Sequence, residues 1–538
     1  MKMVEACPPK YWLCFVCFAF LVLSLPAVAG DWPMFGQNIS NTSSTHESRI
    51  SRENVASLKP RWIATLGGGV SARAAVVDGV AYVPDWGGNI SAIDMRTGQT
   101  RWTHPLTYYG LAAGTFARTS PAVAHGLVYI GTQYNIGINF NPSAPPIATG
   151  WMLALNARTG EKVWMVQPDA SGALPVITAS PTVFWNMLFV GMTSNEESAA
   201  IVNSYPCCSG RGSVVALDAF TGKKIWQTYT VPKGYSGANV WGSSPIVDPS
   251  RLTVYVTTGN NYSVPTDPAY TSCIAAGGTE LSCLSPDNHV DSILALNLLT
   301  GAIRWATQVT DWNQAGVTPG SDINNGGCDF GGTNCPTGQV GPDWDFASGP
   351  NEITYRGKHG LTTIIGAGQK SGLYTAVDPD TGAIVWQTQV GPGSIMGGME
   401  WGSASDGTRI YVAIGNPFGI PYAAGNAGSW AALDPATGKI LWQVPDPNGS
   451  NVLGVDMGPV TVANGVLYAP SMSPVPTAPT MFALDASTGA TLWSYAAGSS
   501  VLAGATVAEG TVLWGSGYSR GGTPFTDNNK LFSFEVQP

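Results

Sequence analysis

One eleven-residue pattern recurs along this chain with its internal spacing unchanged. ALDAFTGKKIW at Ala216 has counterparts at Ala154 (ALNARTGEKVW), Ala295 (ALNLLTGAIRW) and Ala432 (ALDPATGKILW). A wider set keeps an acid or amide with tryptophan eight positions later: Asp94/Trp102, Asn156/Trp164, Asp218/Trp226, Asn297/Trp305, Asp378/Trp386, Asp434/Trp442 and Asp485/Trp493. Fixed spacing inside repeats of unequal length means that one supersecondary unit is reused in tandem. That restricts the chain to repeat architectures, in which each unit buries its apolar face against its neighbours.

The residues before each Asp or Asn alternate as a strand does (VVALD, ILALN, MFALD), and the Thr-Gly that follows supplies hairpin chemistry. Upstream of most repeats lies a second hairpin signal, such as SPAVAHGLVYIGT at Ser120, SPTVFWNMLFVGM at Ser180 and GPVTVANGVLYAP at Gly458. Two hairpins per unit make a four-stranded antiparallel sheet, the blade of a β-propeller. Seven units are complete. KLFSFEVQP at Lys530 reads as a lone inner hairpin strand, and LKPRW at Leu58 carries a tryptophan with no Ala-Leu-Asp before it. Joining the two ends gives an eighth blade and removes the exposed sheet edges. The expectation is an all-β, eight-bladed propeller with tryptophan docking motifs over residues 30–538, its ring closed by N- and C-terminal strands; seven blades is the rival count.

Composition narrows the function classes. With 11% charged residues and a net charge of −9, the chain has no basic footprint for nucleic acid. The 66 glycines and 39 prolines suit many tight turns, and 44% apolar residues can build a full core. Lys2 and Lys10 precede an apolar run from Tyr11 to Leu25, which is followed by Ala27 and Ala29, the pattern of a signal peptide over 1–29. No later stretch resembles a membrane span, so a secreted or periplasmic protein is expected. Cys207, Cys208, Cys273, Cys283, Cys328 and Cys335 follow that leader, an even number that suits three nearest-neighbour disulfides, one of them between adjacent Cys207 and Cys208. Sequons at Asn38, Asn41, Asn89, Asn261 and Asn448 suggest a glycoprotein.

Chemistry belongs where the repeats differ, at the mouths of the inner strands around the central channel. Just upstream of the inner strands stand Arg118 (RTSP), Thr178 (TASP), Trp241 (WGSSP) and Asp456 (DMGP), with Arg73 (RAAVV) and the Glu400-Trp401 pair at corresponding points. Two arginines, a hydroxyl, carboxylates and indole rings make a polar pocket with an aromatic platform. Gly517-Tyr-Ser519-Arg-Gly521 has the spacing of a nucleophile elbow, but no helix pattern follows it, and the five histidines have no metal-ligand spacing.

Four unrepeated stretches resemble the pyrroloquinoline-quinone (PQQ) dependent alcohol dehydrogenases, and within that family the chain is most similar to polyvinyl alcohol dehydrogenase-like proteins. In ITASP to GMTSNEE, the resemblance places Thr178 and Thr193 against the quinone and Glu196 on a calcium ion, with Glu197 a competitor, and Arg211 matches the family's Arg-Gly before the next repeat. VWGSSPIVDPSRLTVYVTTGNNYS resembles the stretch whose Trp stacks on the quinone and whose Asn amide binds calcium, here Trp241 and Asn260, although Asn260 could instead be a left-handed turn residue and Asn261 opens a sequon. Hard oxygen donors of this kind suit Ca²⁺. DWDFA resembles the segment of the catalytic base, here Asp345, with Asp343 its rival; Ala347 stands where lanthanide-dependent members carry a further acid, which implies calcium. In GAGQKSGLY, Lys370 matches the basic residue that hydrogen-bonds the quinone oxygens, and Arg118 and Trp401 complete the cofactor wall.

The resemblance implies a dehydrogenase in which Asp345 takes the alcohol proton while Lys370 and the metal, which Asp345 also ligates, stabilise the developing oxyanion. No Cys-x-x-Cys-His haem attachment sequence is present, so an external electron acceptor is expected. The chain departs from the family pattern at Arg73, Glu400 and Cys207-Cys208. Those departures support a second reading, a propeller that has lost PQQ and uses the same central pocket as a binding module or for non-redox chemistry.

Overall fold

In the computed structural model, residues 30–134, 150–309, 343–519 and 524–537 are described, apart from 48, 171, 203, 243 and 359. Residues 1–29, on which the signal-peptide expectation falls, and Cys328 and Cys335, on which the third disulfide falls, lie outside them. Blade 1 is an antiparallel sheet of Ala75–Val77, Val80–Pro84, Asn89–Asp94 and Thr100–Pro105, taken in that order from the channel outward. The same order repeats in blades that begin at Ala122, Thr182, Ile246, Asn351, Ala404 and Thr461. The eighth blade takes Thr506–Ala508, Thr511–Ser516 and Lys530–Val536 from the C-terminal end and Leu58–Thr65 as its outer strand. KLFSFEV is thus the third strand of that blade, because AEGTVLWGS has already supplied the inner hairpin. First strands of neighbouring blades touch in a closed cycle, so the ring holds eight blades.

The repeat acts at the joints. Each outer tryptophan donates its indole N–H to the backbone carbonyl just after the turn Asp or Asn of the next blade: Trp102 to Ala157 (3.0 Å), Trp226 to Leu298 (3.0 Å), Trp442 to Ala486 (3.1 Å). Trp493 reaches Leu58 (3.1 Å) and Trp62 reaches Met95 (2.9 Å), which carries the series across the junction of the two chain ends. The turn Asp accepts two backbone N–H groups and the Thr hydroxyl, as Asp218 does from Phe220, Thr221 and Thr221 Oγ1. Gly222 follows at φ +70°, where a Cβ would come within 2.7 Å of the Trp164 ring. A bulge between Ala216 and Leu217 sets alanine opposite Trp226, leaving space for the ring. The repeated Ala, Asp, Thr, Gly and Trp therefore form one interlocking joint. Apolar clusters fill the gaps between successive blades, such as Phe189, Val214 and Val254 between blades 3 and 4.

The N-terminal segment before Leu58 carries no copy of the repeat. It winds beneath six blades. Pro33, Ile39, Ser40, Thr42 and Ser43 offer carbonyls to Val123, Val247, Glu352, Ser405 and Val462, and Trp32 forms a two-way bridge with Val76. These partners lie in innermost strands, so residues 32–43 floor one end of the channel.

The cysteine pairings Cys207–Cys208 and Cys273–Cys283 are both formed. No sequon asparagine is exposed. Asn41 donates to Pro350, Asn261 to Ser236 and Asn288, and Asn448 to Pro479, so these amides brace turns and a glycan would break their bonds. No helix among the described residues is long and apolar enough to cross a membrane.

Candidate functional site

In every blade the first strand starts, and the second strand ends, at the channel mouth opposite the N-terminal floor. Side chains just before a first strand or just after a second strand therefore converge there. Thr178, Trp241, Asp343, Asp345, Glu400 and Trp401 are of the first kind, and Glu197, Asn260 and Lys370 of the second.

Asp345 is the centre of the group. It is buried and accepts from Trp241 Nε1 at 2.7 Å through Oδ2 and from the Asn260 backbone N–H at 2.5 Å through Oδ1. Gly259 makes room for it, since a Cβ there would stand 2.3 Å from Oδ1. Lys370 Nζ lies 3.1 and 2.9 Å from the Asp343 oxygens, 3.9 Å from Asp345 Oδ2 and 5.1 Å from the centre of the Trp241 ring. The Trp401 ring meets Trp241 edge-on at 5.4 Å, and the Arg118 guanidinium lies over Trp401 at 4.3 Å. Thr178 Oγ1 donates to the Trp241 carbonyl at 3.0 Å and so fixes the platform.

Electrostatics single out the group as the candidate site. Burial works against the Lys370 ammonium, but Asp343, Asp345, Glu400 and Glu197 override it and hold its pKa well above the ordinary value. Burial pushes Glu400 up to about 7, with Lys370 and Arg118 opposing the rise. Tyr262, raised by burial and then by the Glu197 and Asp345 charges, donates to Glu197 at 3.3 Å. Four carboxylates (Asp343, Asp345, Glu197, Glu400) thus face two cations (Lys370, Arg118), an excess that a divalent cation would balance.

The expected residues divide. Arg118, Thr178, Trp241, Asn260, Asp345, Lys370 and Trp401 come together. Glu196 does not join them. Its carboxylate is closed by Tyr205 Oη (2.8 Å), the Ser209 backbone (2.9 Å) and Gly210 N, all within the 205–210 loop, and Glu197 faces the group instead. Both begin the short helix Glu196–Ala199, where successive side chains point about 100° apart. Arg211 also turns elsewhere, donating to the Val231 carbonyl at 2.6 Å and lying over Tyr229 at 3.8 Å. Thr193 pairs in register with Val176 in a strand extension, with its side chain largely buried. Asp456 pairs with Asp446, away from Lys370, and burial raises it well above the usual carboxylate range.

Arg73 belongs to the floor. It stands two residues before its strand, whereas Arg118 and Thr178 stand four before theirs, so it lies deeper in the channel. Missing from the sequence reading is Tyr262, two residues beyond Asn260, a spacing that returns a side chain to the same side of an extended segment. A cavity of about 910 Å³ lies at the floor end beside His46, Glu47 and Asp406, and contains none of the convergent residues.

Residues 46–307 and 426–534 match the PQQ_2 family, described as outer membrane protein assembly factor BamB. A polyvinylalcohol dehydrogenase of Pseudomonas sp. is 31% identical over 90% of this chain and 71% of its own length. Another, from Sphingopyxis sp. (strain 113P3), is 28% identical over 94% and 77%. Among solved structures, the quinohemoprotein alcohol dehydrogenase of Comamonas testosteroni superimposes with a TM-score of 0.67 at 19% identity, covering 95% of this chain and 81% of that one, a likeness of fold.

Proposed function

The chain belongs to the PQQ-dependent quinoprotein alcohol dehydrogenase family, and from that premise we propose that it oxidises an alcohol to a carbonyl compound with PQQ and calcium at the mouth of the channel. The observation that carries this reading is the meeting of Trp241, Asp345 and Lys370, which come from three different loops of the ring and belong to no repeat. The chemistry of the donors fits both groups. Trp241 offers a flat face, Arg118 and Lys370 offer cations to an anionic quinone, and Asp345, Asn260 and Glu197 are hard oxygen ligands for calcium.

When bound, the quinone supplies the two-electron oxidation by accepting hydride from the carbinol carbon. Asp345 accepts the hydroxyl proton, so the substrate loses a hydride and a proton and its C–O bond becomes double. The Trp241 and Asn260 N–H groups hold that carboxylate at a fixed angle while leaving lone pairs on both oxygens for the proton and the metal. Lys370 stays charged, and its ammonium would stabilise negative charge developing on an oxygen held beside Trp241 and Asp345. Thr178 holds the platform and Arg118 anchors its outer indole. Electrons leave to a separate acceptor, in keeping with the absence of a haem attachment sequence from this chain. An exported location is supported by the apolar stretch at 11–25 and by the disulfides, which persist in oxidising compartments.

The test is reconstitution with PQQ and Ca²⁺, followed by alcohol oxidation with an artificial electron acceptor. Asp345→Asn should keep quinone binding by absorbance and lose turnover by about 10²-fold or more. Turnover unchanged in that variant would remove Asp345 from the mechanism, and a wild-type chain that binds no PQQ would end the dehydrogenase reading.

A further inference from the structure

We propose that the floor face of blades 3 and 4 docks on an anionic phospholipid layer. In each blade the inner turn, between the first two strands, and the outer turn, between the last two, lie on the face opposite the channel mouth. At the tips of the outer turns, blades 1, 2, 5 and 7 carry Arg96, Arg158, Asp380 and Ser487, whereas blades 3 and 4 carry Phe220 and Leu299. The inner turns repeat the contrast: Asp78, His125, Asn464 and Glu509 in blades 1, 2, 7 and 8, but Trp185 and Leu252 in blades 3 and 4. All six of these inner-turn residues have φ between 45° and 56°, a left-handed backbone that short polar side chains tolerate and bulky apolar ones resist. Folding gives no reason for an indole at this position, and Trp185, Phe220, Leu252 and Leu299 are 42–54% exposed.

The four tips form one patch. Ala219 N donates to Asn186 O (2.8 Å) and Leu298 N to Leu252 O (2.9 Å), joining the two turns of each blade, and the Trp226 indole joins blade 3 to Leu298 of blade 4. Charge identifies the occupant. Arg158, Lys223, Lys224 and Arg304 stand exposed around the patch, and none forms an ion pair among the described residues. The neighbouring acids are engaged: Glu161 accepts from Tyr108 (3.0 Å), Asp218 holds its own turn, and Asp380 pairs with Arg251 (2.8 Å). A basic rim on a chain of net charge −9 is complementary to phosphate headgroups. Side chains on turn tips project instead of lining a cleft, and two of the four are leucines, which suit acyl chains better than the flat face of a sugar. Docking on this face points the channel mouth away from the layer, so reactants reach the site from solution.

The test is cosedimentation with lipid vesicles of the chain from residue 30, which holds the whole ring and lacks the apolar stretch at 11–25. Vesicles of equal parts phosphatidylcholine and phosphatidylglycerol should carry the protein down, and vesicles of phosphatidylcholine alone far less. Trp185→Asn, the residue type that blade 7 has at this position, should weaken vesicle binding by about tenfold or more with Tm at or above that of wild type, which separates lost docking from lost folding. Lys223→Glu with Lys224→Glu should weaken binding to the phosphatidylglycerol vesicles by about tenfold or more. Phe418→Ser, which removes an exposed apolar side chain on the mouth side of blade 6, should bind as wild type. No cosedimentation with phosphatidylglycerol vesicles, equal binding to both vesicle types, or wild-type binding by Trp185→Asn overturns the proposal. So does retention on polygalacturonate with none on vesicles, which would give the patch to an anionic polysaccharide.

Discussion

Replacing Lys370 by methionine tests the electrostatic core of the site. The substitution keeps an unbranched apolar stem and removes one charge. It leaves Asp343, whose two oxygens lie 3.1 and 2.9 Å from the lost Nζ, as a buried carboxylate without its cation, and Asp345, 3.9 Å away, loses its attraction as well. Breaking a buried pair from one side costs about 3–5 kcal/mol, because the remaining charge has been taken out of water for nothing. Lys370 holds a pKa above its unfolded value of 10.5, so the stability it contributes is present in full throughout pH 5 to 8 and is lost only as pH rises beyond that value. Urea unfolding of the apo protein at pH 7 measures the deficit of the variant. A loss below about 1 kcal/mol would refute the view that Lys370 holds these carboxylates in the channel.

Further outcomes follow from the same geometry. The Glu400 carboxyl has its pKa raised to about 7 against 4.5 unfolded, so the folded chain binds that proton more tightly and stability falls as pH rises through this interval; Glu400→Gln should gain Tm relative to wild type at pH 8 and not at pH 5. In calcium titrations of the PQQ-loaded protein, Glu197→Gln should weaken affinity by about tenfold or more. Glu196→Gln should leave calcium affinity near wild type and destabilise the 205–210 loop, read as faster proteolysis there. Gly222→Ala brings a Cβ within 2.7 Å of Trp164 at φ +70° and should cost more than about 1 kcal/mol, read as a lower Tm in a thermal melt.

Legibility differed sharply between the two ends of the channel. The Asp-Thr-Gly-Trp spacing announces the blades, because each joint is local in sequence apart from one contact to the next repeat. At the site, residue types were legible from short stretches such as DWDFA and GAGQK, while their orientation was not. Glu196 and Glu197 differ by one step of a helical turn, and only the position of the 205–210 loop decides which of them is sequestered. The Arg73 side chain was misplaced for a similar reason, since two residues along an extended strand change its depth in the channel. Residues 32–43 carry no periodicity at all, and their place as the floor depends on carbonyls meeting strands from six blades.

By itself the sequence determined the all-β class, the number of blades and the closure of the ring by both chain ends, since these follow from repeated short-range patterns and from the need to cover sheet edges. The tertiary structure decided what the channel contains. Asp345 and Lys370 are 25 positions apart, and Trp241 is 104 from Asp345, so their meeting depends on the ring bringing loop ends to one axis. The charge of that group has no meaning along the chain. Only burial around the axis makes Lys370 hold its proton and Glu400 resist losing one, and desolvation is a property of the assembled ring.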